Sequence, residues 1–151
     1  MSIWGPGPFE NDDGADWVDD LQEEPKLAHL RDALLEVCDP EHIGFVDVTD
    51  CCEAVAAAEV LAQLLGSPGD DPSRDEEHEE LTEALRGEIK LEDWRNIEKL
   101  VQQAIDAIEI VLNDAENSEL RQMLETQADE MPAWIAAMTT LQRRLHKVAV
   151  P

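Results

Sequence analysis

The sequence predicts an all-α protein, a compact bundle of about six or seven helices behind an irregular N-terminal clasp. Three observations carry that expectation. Apolar residues recur at steps of three and four along most of the chain, the spacing that lines one face of a helix. Hydrophobic residues make up 43% of the chain but aromatic ones only 4%, with no Tyr, so Leu, Ala, Ile and Val must fill the core. Sheets draw more heavily on Tyr, Phe and Thr. Clusters of Gly and Pro separate the periodic runs, as turn and loop chemistry does.

The opening run W-G-P-G-P-F-E-N-D-D, Trp4 to Asp13, is too rich in Pro and Gly for regular structure. Trp4 and Phe9 are large and apolar, and are expected to tuck against the helices. Asn11 or Asp12 then caps a first helix running to about Gln22, with an acidic first turn that suits the helix dipole. Trp17 and Leu21 share its buried face. Pro25 suits the first turn of a second helix, in which Leu27, Leu30, Leu34 and Val37 form the stripe and Asp39-Pro40 the stop. Ile43 to Val48 is the one credible extended segment. Asp50 caps a third helix, Cys51 to Leu65, closed by Gly66, and its alanines let neighbouring helices approach closely.

The run S-P-G-D-D-P-S, Ser67 to Ser73, reads as a mobile loop, followed by a short acidic helix from Asp75 to Arg86 that stops at Gly87. The longest periodic run, Leu91 to Leu112, places Trp94, Ile97, Val101, Ile105, Ile108 and Leu112 on one stripe, widened by Leu100 and Ala104. Asn117 caps a helix containing Leu120, Met123 and Leu124. Pro132 restarts the chain, and a last helix from Trp134 carries Ile135, Met138, Leu141 and Leu145, with Arg143, Arg144, His146 and Lys147 near its end. No repeat or second boundary is evident. The 151 residues fit one domain, 1–151, with 1–11 irregular and 67–73 the mobile loop.

Charge narrows the function classes. Thirty-six Asp and Glu face eleven Lys and Arg, a formal net charge of −25. Such a field repels nucleic-acid phosphates and anionic lipid and attracts cations and basic protein surfaces. Solubility alone would account for the acid equally well. Cys38, Cys51 and Cys52 are an odd set with two neighbours, a poor disulfide framework, and are expected as buried or half-buried thiols in a reducing compartment. The first ten residues lack a basic start and an apolar core, and the most apolar stretch, Ala54 to Leu65, is too short to cross a bilayer. A cytoplasmic protein is expected.

The opening Trp4 to Asp13, followed by Asp16-Trp17, resembles the bacterial family catalogued as domain of unknown function 4259. That family opens on Trp-Gly-x-Gly-Pro-Phe-x-Asn-Asp and continues into an acidic helix with an aromatic residue. The A-A-A-E-V run (Ala56 to Val60), the N-S-E-L run (Asn117 to Leu120), Trp134 and the R-R-L run (Arg143 to Leu145) extend the similarity over nearly the whole chain. Pro6 departs from the small polar residue and Glu10 from the Asp of that pattern. The resemblance implies a compact, largely helical bacterial domain, and it transfers no catalytic or binding residue.

No constellation of residues spells out a reaction. Fitted to a calcium loop, Asn11, Asp13 and Gly14 fall at the third, fifth and sixth positions, but Phe9 would be the first ligand and Asp20 the twelfth, where an oxygen donor and a bidentate Glu are needed. The D-E-E-H-E-E run, Asp75 to Glu80, fans its side chains around a helix and reads as a solvated face. Helical pyrophosphohydrolases use paired E-x-x-E and E-x-x-D motifs to hold Mg²⁺. Here Glu77/Glu80 and Glu116/Glu119 supply the first spacing, while Glu10/Asp13 and Glu36/Asp39 supply the second only on the tail and at a helix end. Acidic surroundings disfavour a thiolate at any of the cysteines, and Asp39-x-x-His42 and Asp75-x-x-His78 lack the Glu that a diiron site needs.

Two readings follow. The first is a non-enzymatic binding or regulatory module, of the immunity or antitoxin kind, that docks a basic protein through Trp4, Asp12, Asp13, Asp16, Asp19, Asp20, Glu76, Glu77, Glu79 and Glu80. It needs no cofactor and no metal, binds neither nucleic acid nor membrane, and works as a monomer or a homodimer. The alternative is a metal-dependent hydrolase of phosphate-containing small molecules that uses Glu77 and Glu80.

Overall fold

The computed structural model describes residues 5–41, 44–67 and 76–149, with only the backbone given at 76–78 and 149. Trp4, His42, Ile43 and positions 68–73 of the expected loop therefore lie outside the described residues.

The protein is all-α. Among the described residues there are eight helices: α1 (Asp12–Glu23), α2 (Leu27–Cys38), α3 (Val48–Leu64), α4 (Glu76–Glu88), α5 (Leu91–Arg95), α6 (Ile97–Asn113), α7 (Glu119–Glu125) and α8 (Met131–Ala149). α3 is the axis of the bundle, packed by α1, α2, α4, α6, α7 and α8. From Cys51 to Leu64 every residue of it but Glu53 is buried. Ala54, Ala56, Ala57, Ala58 and Ala62 make this possible, because small side chains let flanking helices close in on all sides. α2, α6 and α8 complete the core with the expected stripes, among them Leu30, Leu34, Val101, Ile108, Trp134, Met138 and Leu141.

The ends of α3 are held by distant residues. Asp47 caps its N-terminus, its carboxylate accepting from Asp50 N at 2.9 Å, so the cap lies one turn before the expected Asp50. The cause is α7: the Glu119 carboxylate accepts from Val48 N at 2.7 Å and Glu119 N donates to Val46 O at 3.0 Å. Val46 N in turn donates to Asn117 O at 2.8 Å, so the expected extended segment is a single parallel bridge between Val46 and Ser118. Ser118, fully buried, displaces Asn117 as the α7 cap: its hydroxyl donates to Val111 O at 2.7 Å and accepts from Arg121 N at 3.2 Å. At the other end Ser67 N donates to Ala62 O and Gly66 N to Gln63 O, the paired bonds of a Schellman turn, with Gly66 at φ +87° where a side chain is disfavoured.

Two cations neutralise that negative end of α3. Arg86 donates to Leu64 O through Nε and Nη2 at 3.2 and 3.0 Å. Arg144 of α8 donates to Ser67 O at 3.1 Å, and its guanidinium also grips buried Glu59 in a two-pronged pair, 2.5 Å from Nη2 to Oε1 and 2.8 Å from Nη1 to Oε2. Gln63 donates a third bond to that carboxylate at 3.2 Å. The A-A-A-E-V and R-R-L runs thus meet inside the bundle.

The N-terminal clasp packs as its residues suggest. Phe9 is 2% exposed and sits in the core. Glu10 N donates to Gly7 O, and the Glu10 carboxylate accepts from Gly7 N at 2.9 Å. Asn11 caps α1 through Gly14 N at 2.7 Å while its amide reaches back to Pro8 O.

Five further expectations need correction. The run from Leu91 to Leu112 is two helices divided at Asn96, whose side chain turns back to Glu92 O at 3.0 Å. Trp94 is consequently rotated out to 38% exposure rather than lying on the buried stripe. Ile135 is likewise exposed, the α8 stripe running Trp134, Met138, Leu141, Leu145. Pro25 precedes α2 instead of entering its first turn, and Gly87 lies inside α4.

Candidate functional site

α1 and α2 run out from the turn at Pro25 and each lays four residues at the same helical spacing along a shared groove. α1 and the residue that caps its end contribute Trp17, Asp20, Leu21 and Glu24; α2 contributes His29, Asp32, Ala33 and Glu36. Glu53, the one residue of α3 from Cys51 to Leu64 that escapes burial, closes the base. The groove encloses about 360 Å³, within the ~300–1,000 Å³ usual for ligand sites. Its apolar part is Leu21 and Ala33, both buried, with half-buried Trp17 beside them.

Five carboxylates from three helices surround that apolar strip. Glu24 is paired, 2.8 Å from Lys26 and 3.5 Å from His29 Nε2, and the hydrogen bond and charge of Lys26 hold its carboxyl below the ordinary range. Among the described residues the side chains of Asp20, Asp32, Glu36 and Glu53 make no hydrogen bond and no ion pair. Half-buried Glu53 bears the consequence: burial first, then the charges of Asp50, Asp13, Asp47 and Glu36, raise its carboxyl above the ordinary range. The groove presents concentrated negative charge against an apolar and aromatic surface. Chemically, that suits a cation with an apolar stem.

Of the ten residues proposed from the sequence as a docking face, only Asp20 lines this groove. Asp13 is close by, accepting from Thr49 Oγ1 at 3.3 Å at the start of α3, and its charge acts on Glu53. Asp12 lies in the same first turn, and Asp16 and Asp19 are exposed on α1 but outside the groove. Glu80 lines a separate groove of about 430 Å³ with Gln22, Leu81 and Ala84, and Glu79 is exposed on α4. Trp4 and the side chains of Glu76 and Glu77 lie outside the described residues. Sequence reasoning misses Glu24, Asp32 and Glu53, and weighs Glu36 only in its spacing with Asp39. The repeated offset of Trp17, Asp20, Leu21, Glu24 and of His29, Asp32, Ala33, Glu36 is the signal that could have found the walls.

Among the described residues no three His, Cys, Asp or Glu side chains converge on a position for a metal ion. Glu119, of the Glu116/Glu119 spacing, holds Val48 N instead. The thiols are free and poorly ionised: burial, with Asp106 and Asp39, pushes Cys38 up to about 11, and burial raises Cys51 and Cys52 as well. No described helix is long and apolar enough to cross a membrane.

No curated protein and no solved structure matches the chain. With residues 2–137 matching its pattern, the chain belongs to the family described as Domain of unknown function (DUF4259).

Proposed function

We propose that the protein is a non-enzymatic binding module whose groove between α1, α2 and α3 docks a basic protein partner. The observation that carries this reading is the set Asp20, Asp32, Glu36 and Glu53, four carboxylates without a partner among the described residues, gathered around one apolar strip. Like charges gathered this way destabilise a fold, and a cationic surface relieves them. Trp17 adds the kind of half-buried aromatic that anchors interfaces. The docking face proposed from the acidic first helix thereby narrows to Asp20 and gains α2 and Glu53. No observation favours the metal-dependent hydrolase over this reading.

The test is affinity capture from native lysate with the wild-type protein and with an Asp32→Lys/Glu36→Lys variant, at low and high salt. A basic protein retained by the wild type at low salt should be lost both in ~1 M salt, where charges are screened beyond about 3 Å, and on the double variant. Retention indifferent to salt and to the variant sinks the reading.

A further inference from the structure

We propose that the group seated in the α1–α2–α3 groove is an arginine side chain of the basic partner. This rests on the docking reading above and adds the chemistry of the occupant and its regulation.

The choice of arginine follows from the lining. A guanidinium is planar, weakly hydrated and always charged, stacks on indole, and offers five donors that several carboxylates can share. Trp17 supplies the ring, Leu21 and Ala33 the surface for the aliphatic stem, and Asp20, Asp32 and Glu36 the rim acceptors. An ammonium is a compact, strongly hydrated point charge and makes little use of the aromatic wall.

A proton linkage follows from where Glu53 sits. Asp13 of α1, Glu36 of α2, and Asp47 and Asp50 at the start of α3 all act on it, with Asp20, Glu24, His29 and Asp32 on the groove walls; Lys26 is engaged by Glu24. Burial first, and then Asp50, Asp13, Asp47 and Glu36, disfavour a charge on Glu53. A guanidinium in the groove reverses the balance: it favours the charged carboxylate, any proton that Glu53 holds leaves to solvent, and carboxylate and cation pair. Docking then strengthens as pH rises, by up to about tenfold per unit while one proton is displaced, and weakens in acid.

The probes are hexa-arginine and hexa-lysine peptides, titrated calorimetrically at low salt from pH 5 to 7 in two buffers of different ionisation heat. The expected result is tighter binding of hexa-arginine, with proton release that grows toward the acid end. Glu53→Gln should bind with no release and a flat pH profile, His29→Gln should keep the release, and Trp17→Leu should erase the preference for arginine. Equal affinity for the two peptides overturns the arginine assignment. Release that persists in Glu53→Gln, or none from the wild type, overturns the proton linkage. No binding of either peptide removes the docking reading itself.

Discussion

Gly14 lies in the first turn of α1, where alanine ordinarily improves a helix by about 1 kcal/mol. Here a Cβ would stand 2.8 Å from Pro8 O and 2.9 Å from Asn11 Oδ1, the capping oxygen. Backbone on one side and the cap on the other leave nowhere for the methyl group to go. Relief would require moving the clasp that seats Phe9 or breaking the cap, so Gly14→Ala is expected to destabilise the fold by about 1–3 kcal/mol, read as a lower urea midpoint. Gly87 supplies the contrast, because it lies inside α4 and a methyl group there would meet no described atom within 4 Å. Gly87→Ala should therefore stabilise, by at most ~1 kcal/mol. The sequence already marked the clasp as turn chemistry around a buried Phe9. Why a glycine opens α1 became visible only with Pro8 O beside it.

At the scale of elements, the apolar periods were legible because burial on a helix leaves a regular trace, and α2 and α6 carry their stripes where the spacing put them, as α8 does except at Ile135. The boundaries were less legible, since distant residues decide them. Asp47 and Asp50 are equally good caps locally, and Glu119 on Val48 N settles which one serves. The step from Trp94 to Ile97 keeps the helical period straight through Asn96, so the division between α5 and α6 left no mark in the pattern. Arg144 was legible as a cation near the end of α8 but not as the partner of Glu59. That pair joins α3 to α8 with Glu59 1% exposed, and removing one member strands a buried charge. Arg144→Leu is expected to lose about 3–5 kcal/mol in urea unfolding. Glu59→Leu/Arg144→Leu should recover much of that loss, because two apolar side chains carry no desolvation penalty. A double variant as unstable as the sum of the two singles would mean that the pair contributes no coupling between the helices.

Over the whole molecule, net charge is a sum that composition supplies, whereas the balance of each carboxylate depends on which helices meet. Asp20, Asp32, Glu36 and Glu53 are spread over three elements, so their convergence required the packing of α1 and α2 on α3. In the free protein Glu53 reports its burial first, and then the charges of Asp50, Asp13, Asp47 and Glu36. Its carboxyl is raised, so the fold holds that proton more tightly than the unfolded chain does. The contribution to stability is therefore favourable in acid. It is lost as pH climbs from the ordinary Glu value of about 4.3 through the raised one. Above that window the ionised group is an unrelieved repulsion in the fold alone. Glu53→Gln keeps the shape and removes the charge: at pH 7 the variant should melt above the wild type, and the gap should close as pH falls below ~4. Salt should narrow the gap from the other side, since screening spares the wild type more repulsion than the variant has to lose. A wild type at least as stable as Glu53→Gln at pH 7 and low salt would mean that the fold already compensates this carboxylate, leaving a cationic partner nothing to relieve there.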